Sequence, residues 1–206
     1  FKSEFDVPRL KNGAIDLGVD NPNMCGGVIC DDFNNDDLID IFTCGWGLKE
    51  RSFLLLNKGD GTFDDVSKKA GLDVYPGGLM IQQTDYNNDG WLDVWVSRGA
   101  WYSNFGILPS SLLRNNGDST FTDVTREVGI WTTRPSQAAT WADFNNDGWL
   151  DLYIGNEASR KGDKINECQA WINEKGKFRE IAKEAGINVI SFVKGVTSGD
   201  YDNDGD

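Results

Sequence analysis

Asp85-Tyr86-Asn87-Asn88-Asp89-Gly90-Trp91-Leu92-Asp93 carries oxygen-bearing side chains at positions 1, 3, 5 and 9 of a nine-residue stretch. Close copies run from Asp32 to Asp40 and from Asp143 to Asp151, and a fourth begins at Asp200. With the peptide carbonyl of position 7 turned to the same centre, each complete copy offers a cage of hard oxygens suited to Ca²⁺. Each complete copy also holds three Asp at positions 1, 5 and 9. Two unit charges about 4 Å apart repel by roughly 4 kcal/mol at an effective dielectric of 20, so a cation among them is expected to be part of the fold. Position 6, where the chain doubles back, favours a left-handed backbone. Gly90, Gly148 and Gly205 suit it, whereas Asp37 in the first copy predicts the most strained loop.

The first half of this pattern matches an EF-hand loop, which further requires a bidentate Glu at position 12 and flanking helices. Position 12 is Thr43, Val96 and Ile154 in the three copies. The residues after each loop alternate instead, with Leu92, Val94 and Val96 to one side and Asp93, Trp95 and Ser97 to the other. A period of two is that of a strand, so each loop is predicted to close a β-hairpin with position 9 inside the outgoing strand.

Start-to-start spacings of 53, 58 and 57 residues make each copy part of a supersecondary repeat. A second motif travels with the loop: Asn57-Lys58-Gly59 between apolar runs, then Asn115-Asn116-Gly117, and a weaker form from Ala170 to Ile181. Asn-x-Gly between apolar runs is a hairpin signal, so each repeat supplies about four strands. Four antiparallel strands per 40–60 residues is the blade of a β-propeller. Segments before the loops are Gly-rich (Gly26-Gly27, Gly77-Gly78, Gly195), as close-packed inner strands require. Phe5-Asp6-Val7 reads as a further blade strand, and Ser67–Ala70, Thr125–Val128 and Ala182–Ala185 as single helical turns. The whole chain, 1–206, is thus all-β, a partial propeller of three complete blades and the start of a fourth, and is expected to belong to a longer polypeptide.

The composition narrows the function. A net charge of −13 over 206 residues argues against nucleic acid and anionic membrane surfaces as partners. No apolar run reaches 18 residues, so no membrane insertion is expected. The chain has no His, which removes Ser-His-Asp triads, Cys-His pairs and His-bound catalytic zinc, and no enzymatic activity is expected. Glu127, Glu157, Asp163 and Glu167 have no spacing that marks a catalytic carboxylate pair. Of the four Cys, Cys30 and Cys44 flank the first loop, which leaves open both a cross-strand pair and free buried thiols. Trp46, Trp101 and Tyr102 fall just beyond loop-following strands, and Arg98–Gly106 is an aromatic insertion, the first place to look for a recognition loop.

At the nine-residue loops, and at Leu113-Arg114-Asn115-Asn116-Gly117-Asp118-Ser119-Thr120-Phe121-Thr122-Asp123-Val124-Thr125, the chain resembles the FG-GAP/VCBS repeat family, within it the microbial proteins similar to cartilage acidic protein. That resemblance implies a Ca²⁺-bound propeller, secreted, cell-surface or periplasmic, engaged in recognition or adhesion. It implies as ligands Asp32, Asn34, Asp36, the Leu38 carbonyl and Asp40; Asp85, Asn87, Asp89, the Trp91 carbonyl and Asp93; Asp143, Asn145, Asp147, the Trp149 carbonyl and Asp151; and Asp200, Asp202 and Asp204 in the fourth loop. The loops are expected to act singly, so that Asp89→Ala weakens metal binding at the second loop only. The expected partner is a protein or a glycan. The alternatives are a carbohydrate-binding or polysaccharide-cleaving propeller, and a subunit of an extracellular filament whose neighbouring chains cover the sheet edges.

Overall fold

Among the described residues twelve strands, each paired antiparallel to its chain neighbours within its own four-stranded sheet, follow from the alternating apolar segments and the Gly-rich turns between them. The computed structural model of the protein describes residues 12–20, 25–47, 49–100, 102, 106–158 and 166–202. The first sheet contains β1 (Cys25–Asp31), β2 (Asp40–Gly45), β3 (Ser52–Asn57) and β4 (Phe63–Asp65). The second contains β5 (Met80–Thr84), β6 (Asp93–Ser97), β7 (Ser111–Asn115) and β8 (Phe121–Asp123). The third contains β9 (Ser136–Ala142), β10 (Asp151–Asn156), β11 (Gln169–Asn173) and β12 (Phe178–Glu180). Strand order in each sheet follows chain order, as in a propeller blade. The short helical turns appear in part: Thr125–Val128 is an α-helical turn, whereas 67–71, which runs into a 3₁₀ turn at Leu72–Val74, and 182–186 are hydrogen-bonded turns. The segment Phe5-Asp6-Val7 lies outside the described residues. Among the described residues no helix is long and apolar enough to cross a membrane.

The sheets stack face to face, and the period-two alternation decides which neighbour each side chain meets. Val94 and Val96 of β6 point into a core shared with the first sheet, with Phe33, Phe42, Leu54, Ile81 and Phe121. Trp95, between them, points the other way into a core with Tyr86, Leu112, Leu152, Ile154 and Trp171. Every residue of β6 is therefore buried. Phe33, Phe42 and Phe121 pack with ring centroids 5.6–6.3 Å apart at tilted or edge-on angles, which joins the first two sheets. Inner strands approach closely enough that a Cβ on Gly26 would lie 1.8 Å from the Gly78 carbonyl oxygen, so only glycine fits there.

One open question closes and one expectation changes. Cys30 is paired with Ile41 and Cys44 with Gly27 across the β1–β2 hairpin, so the two thiols do not face each other. Cys30 is exposed and Cys44 buried, and neither forms a disulfide; nor does buried Cys168. The Cys44 thiol instead donates to the Gly78 carbonyl of the next sheet at 3.1 Å. Gly195-Val196-Thr197, read as an inner-strand segment of the last repeat, does not form a strand in the structure.

Candidate metal centre

Each nine-residue loop joins the first and second strands of its sheet, as the strand alternation requires. Position 1 (Asp32, Asp85, Asp143) is half-buried, and position 5 (Asp36, Asp89, Asp147) is exposed. Position 9 (Asp40, Asp93, Asp151) opens the outgoing strand at 0% exposure. Two residues in each loop are left-handed: position 4 (Asn35, Asn88, Asn146, φ 55–56°) and position 6 (Asp37 at 67°, Gly90 at 84°, Gly148 at 85°). Asp37 thus takes the backbone that glycine takes in the other two loops.

The loop interiors are wound by oxygen. Asp85 accepts the N–H of Asp89 at 3.1 Å and of Gly90 at 2.9 Å, and Asp89 accepts that of Trp91 at 2.9 Å. Asp143 does the same for Asp147 and Gly148, and Asp147 for Trp149. Asp32 takes Asn34, Asp36 and Asp37, and Asp36 takes Leu38. Asn34, Asn87 and Asn145 donate to the position-5 carboxylate at 2.7–2.9 Å and 3.0 Å. The predicted ligands of each complete loop are therefore brought to one turn. Their carboxylates close on backbone N–H groups, and among the described residues no three acidic, His or Cys side chains form a ready-made metal cage. Asp200 and Asp202 lie exposed beyond the last strand, and Asp204 lies outside the described residues.

The position-9 carboxylates carry the electrostatic cost of this arrangement. Burial pushes the Asp93 carboxyl up to about 8, against the downward pull of N–H bonds from Asn115 and Tyr86, and the charges of Asp89 and Asp85 add to the rise. Asp40 and Asp151 are raised by the same cause, with Asp36 and Asp32, or Asp147 and Asp143, adding to it. A buried carboxylate repelled by two others, in a turn whose side-chain donors are all oxygen, suits a hard cation: the donor set fits Ca²⁺.

Sequence spacing pointed to the loops and missed what holds them together. The asparagine that opens each of these turns, in Asn57-Lys58-Gly59, Asn115-Asn116-Gly117 and the longer Asn173-Glu174-Lys175-Gly176, read only as a hairpin signal, also serves the loops. Asn115 donates its backbone N–H to Asp93 at 2.8 Å and its amide N–H groups to the carbonyls of Leu92 (3.3 Å) and of Phe33 in the first sheet (2.8 Å). Asn173 repeats this with Asp151 (2.7 Å), Leu150 (3.0 Å) and Tyr86 of the second sheet (2.7 Å). Asn57 makes the bonds within its own sheet, to Asp40 and Ile39. A separate reach links the loop tips, from Asn35 to the Gly90 carbonyl at 3.3 Å and from Asn88 to the Gly148 carbonyl at 2.9 Å.

A profile of the FG-GAP-like repeat matches residues 32–96 and 85–154, each match starting at the first residue of a nine-residue loop. The chain belongs to the FG-GAP-like repeat family. Cartilage acidic protein 1 of Xenopus tropicalis is 31% identical over 152 residues, 73% of this chain and 22% of that protein. The protein of the same name from Homo sapiens is 28% identical over 150 residues, 72% of this chain and 21% of its own length. The chain thus spans about a fifth of the length of the curated relatives it matches.

The aromatic insertion is placed only in part. Trp101 lies outside the described residues. Tyr102 packs tilted on Trp46 with centroids 6.2 Å apart, and both line a cleft of about 110 Å³ with Pro76, Leu79, Leu108 and Pro109, at the end of the sheets away from the loops. Arg98 is 3% exposed and donates to the carbonyls of Pro76, Gly77 and Pro109 and to the Ser111 hydroxyl, so it ties loops together rather than presenting its charge. Of the carboxylates outside the loops, Glu157 is buried against Lys194, and Glu127 lies 3.6 Å from Lys177 at the surface. Asp163 lies outside the described residues.

Proposed function

We propose that the chain is a calcium-binding segment of an extracellular β-propeller that recognises a protein or glycan and carries out no catalysis of its own. The strongest support is the threefold repetition of one oxygen-lined loop with a fully buried position-9 carboxylate. Asp32, Asn34, Asp36, the Leu38 carbonyl and Asp40 would hold one ion, and the corresponding residues of the other two complete loops one each. A bound ion supplies the positive charge that keeps these carboxylates ionised together. The family match, and relatives whose name associates them with cartilage, support an extracellular setting. Calcium modules outside cells typically bind at about 10⁻⁴–10⁻³ M, so resting cytosolic calcium would leave such loops empty. The test is calorimetric titration with calcium, together with thermal melting with and without excess chelator. Binding at millimolar calcium and a melting point lowered by chelator are expected. A melting point indifferent to chelator, with no heat of binding, would refute the reading.

The cleft beside Trp46 and Tyr102 favours a second reading, sugar binding by ring stacking. A glycan array probed with the chain and with Trp46→Ala decides it: binding that the variant loses supports this reading, and silence across acidic and neutral glycans retires it.

A further inference from the structure

We propose that neighbouring calcium loops bind their ions cooperatively, coupled by the asparagine bridges that run from sheet to sheet. This rests on the calcium reading above and adds to it a coupling between sites. The tip bridge runs from Asn88 at position 4 of the second loop to the carbonyl of Gly148 at position 6 of the third. The peptide that carries that carbonyl also carries the N–H of Trp149, which donates to the carboxylate of Asp147 at 2.9 Å. One peptide therefore accepts from one loop and donates to a ligand of the next, and hydrogen bonds in series polarise one another. The base bridge runs through Asn173. Its backbone N–H holds Asp151 of the third loop while its amide holds the carbonyl of Tyr86 in the second. Tyr86 itself donates its N–H to Asp93 at 3.3 Å.

The same two bridges recur between the first and second loops, through Asn35 to Gly90 and through Asn115 to Phe33. Repetition with the same atoms at the same loop positions makes the link a feature of the repeat. An ion that orders one loop fixes both bridge ends on that side, so the next loop has less freedom left to lose when its own ion arrives. Among the described residues the second loop is bridged to both the first and the third, so it gains from two neighbours.

The sequence itself provides reporters, because position 7 is Trp91 in the second loop and Trp149 in the third. Calcium titration of the full chain, followed at the indole N–H resonances of these two residues, reads each loop separately. In the unaltered chain the two are expected to shift together. Asp89→Asn, an exposed near-isosteric change in the second loop, is expected to weaken binding reported by Trp149 by about fivefold or more. Asp147→Asn should weaken binding reported by Trp91 by the same factor, since coupling between sites is reciprocal. Asn88→Gly, which keeps the left-handed backbone and leaves the bridge through Asn173 in place, should reduce that factor. If Asp89→Asn leaves the Trp149 midpoint within about twofold, the coupling is overturned while calcium binding stands. If neither indole responds and no heat of binding appears, the calcium reading has failed and the coupling falls with it.

Discussion

In chelator, the stability of the chain is expected to fall as pH rises, against the usual behaviour of a protein rich in ionised carboxylates. The reason is Asp93, whose carboxyl is held at about 8 by burial between two sheets instead of at its ordinary 3.8. Between those values the unfolded chain has released the proton and the folded chain still binds it, so the folded state binds more protons and stability declines with pH across that window. One proton held by the folded chain alone is worth about 1.36 kcal/mol for every pH step of one, so this group removes roughly 5 kcal/mol between pH 4 and pH 8. Asp40 and Asp151, also raised by burial, act in the same direction. At about 2–4 °C per kcal/mol for a chain of this size, the melting point in chelator should drop on the order of 10 °C over that range. Saturating calcium holds the carboxylates ionised and should flatten the slope. Asp93→Asn keeps an acceptor for the N–H of Asn115 or Tyr86 and removes the charge. In chelator at pH 8 the variant should melt higher than the parent, and it should gain less from calcium. Scanning calorimetry from pH 5 to pH 8, with and without calcium, measures all of this. A melting point in chelator that rises with pH, or an Asp93→Asn chain less stable than the parent at pH 8 in chelator, would refute the electrostatic account.

Two further outcomes follow from the hydrogen-bond network and the backbone. Asn173→Ala keeps the backbone N–H that serves Asp151 but leaves the carbonyls of buried Tyr86 and half-buried Leu150 short of a partner, and should cost about 2–3 kcal/mol in urea unfolding. Asn57→Ala removes bonds to Ile39 and from Gly59 that stay within its own sheet at a more exposed site and should cost about 1 kcal/mol, so equal losses at the two positions would contradict the intersheet role. Asp37→Gly relieves a non-glycine residue at φ 67° and should raise stability by about 0.5 kcal/mol, measured by the same unfolding; a loss would show that Asp37 contributes contacts that outweigh its strain.

The loops, their repeat and the hairpins on either side were legible because they depend on local chemistry: oxygen side chains at fixed offsets, a left-handed position, and alternation with period two. Four strands per repeat could be counted for the same reason, and glycine at the inner strands forecast their close approach, realised where Gly26 meets Gly78. Even the strain at Asp37 could be anticipated, since backbone geometry at one residue needs no knowledge of its neighbours. Whether Cys30 and Cys44 pair stayed open in the sequence because they sit on one hairpin yet out of register, and register is a property of two strands.

What the chain could not reveal alone is everything that depends on one sheet meeting the next. Asn115 and Asn173 look like turn residues in sequence; only stacking brings each within 3 Å of a carbonyl more than 80 residues away. Stacking also sets Asp93 apart from the other loop aspartates, for covering a carboxylate on both faces is what raises it so far. Local pattern wrote the loops; contact between sheets made them a connected row, because burial and long-range hydrogen bonds exist only once the chain has folded.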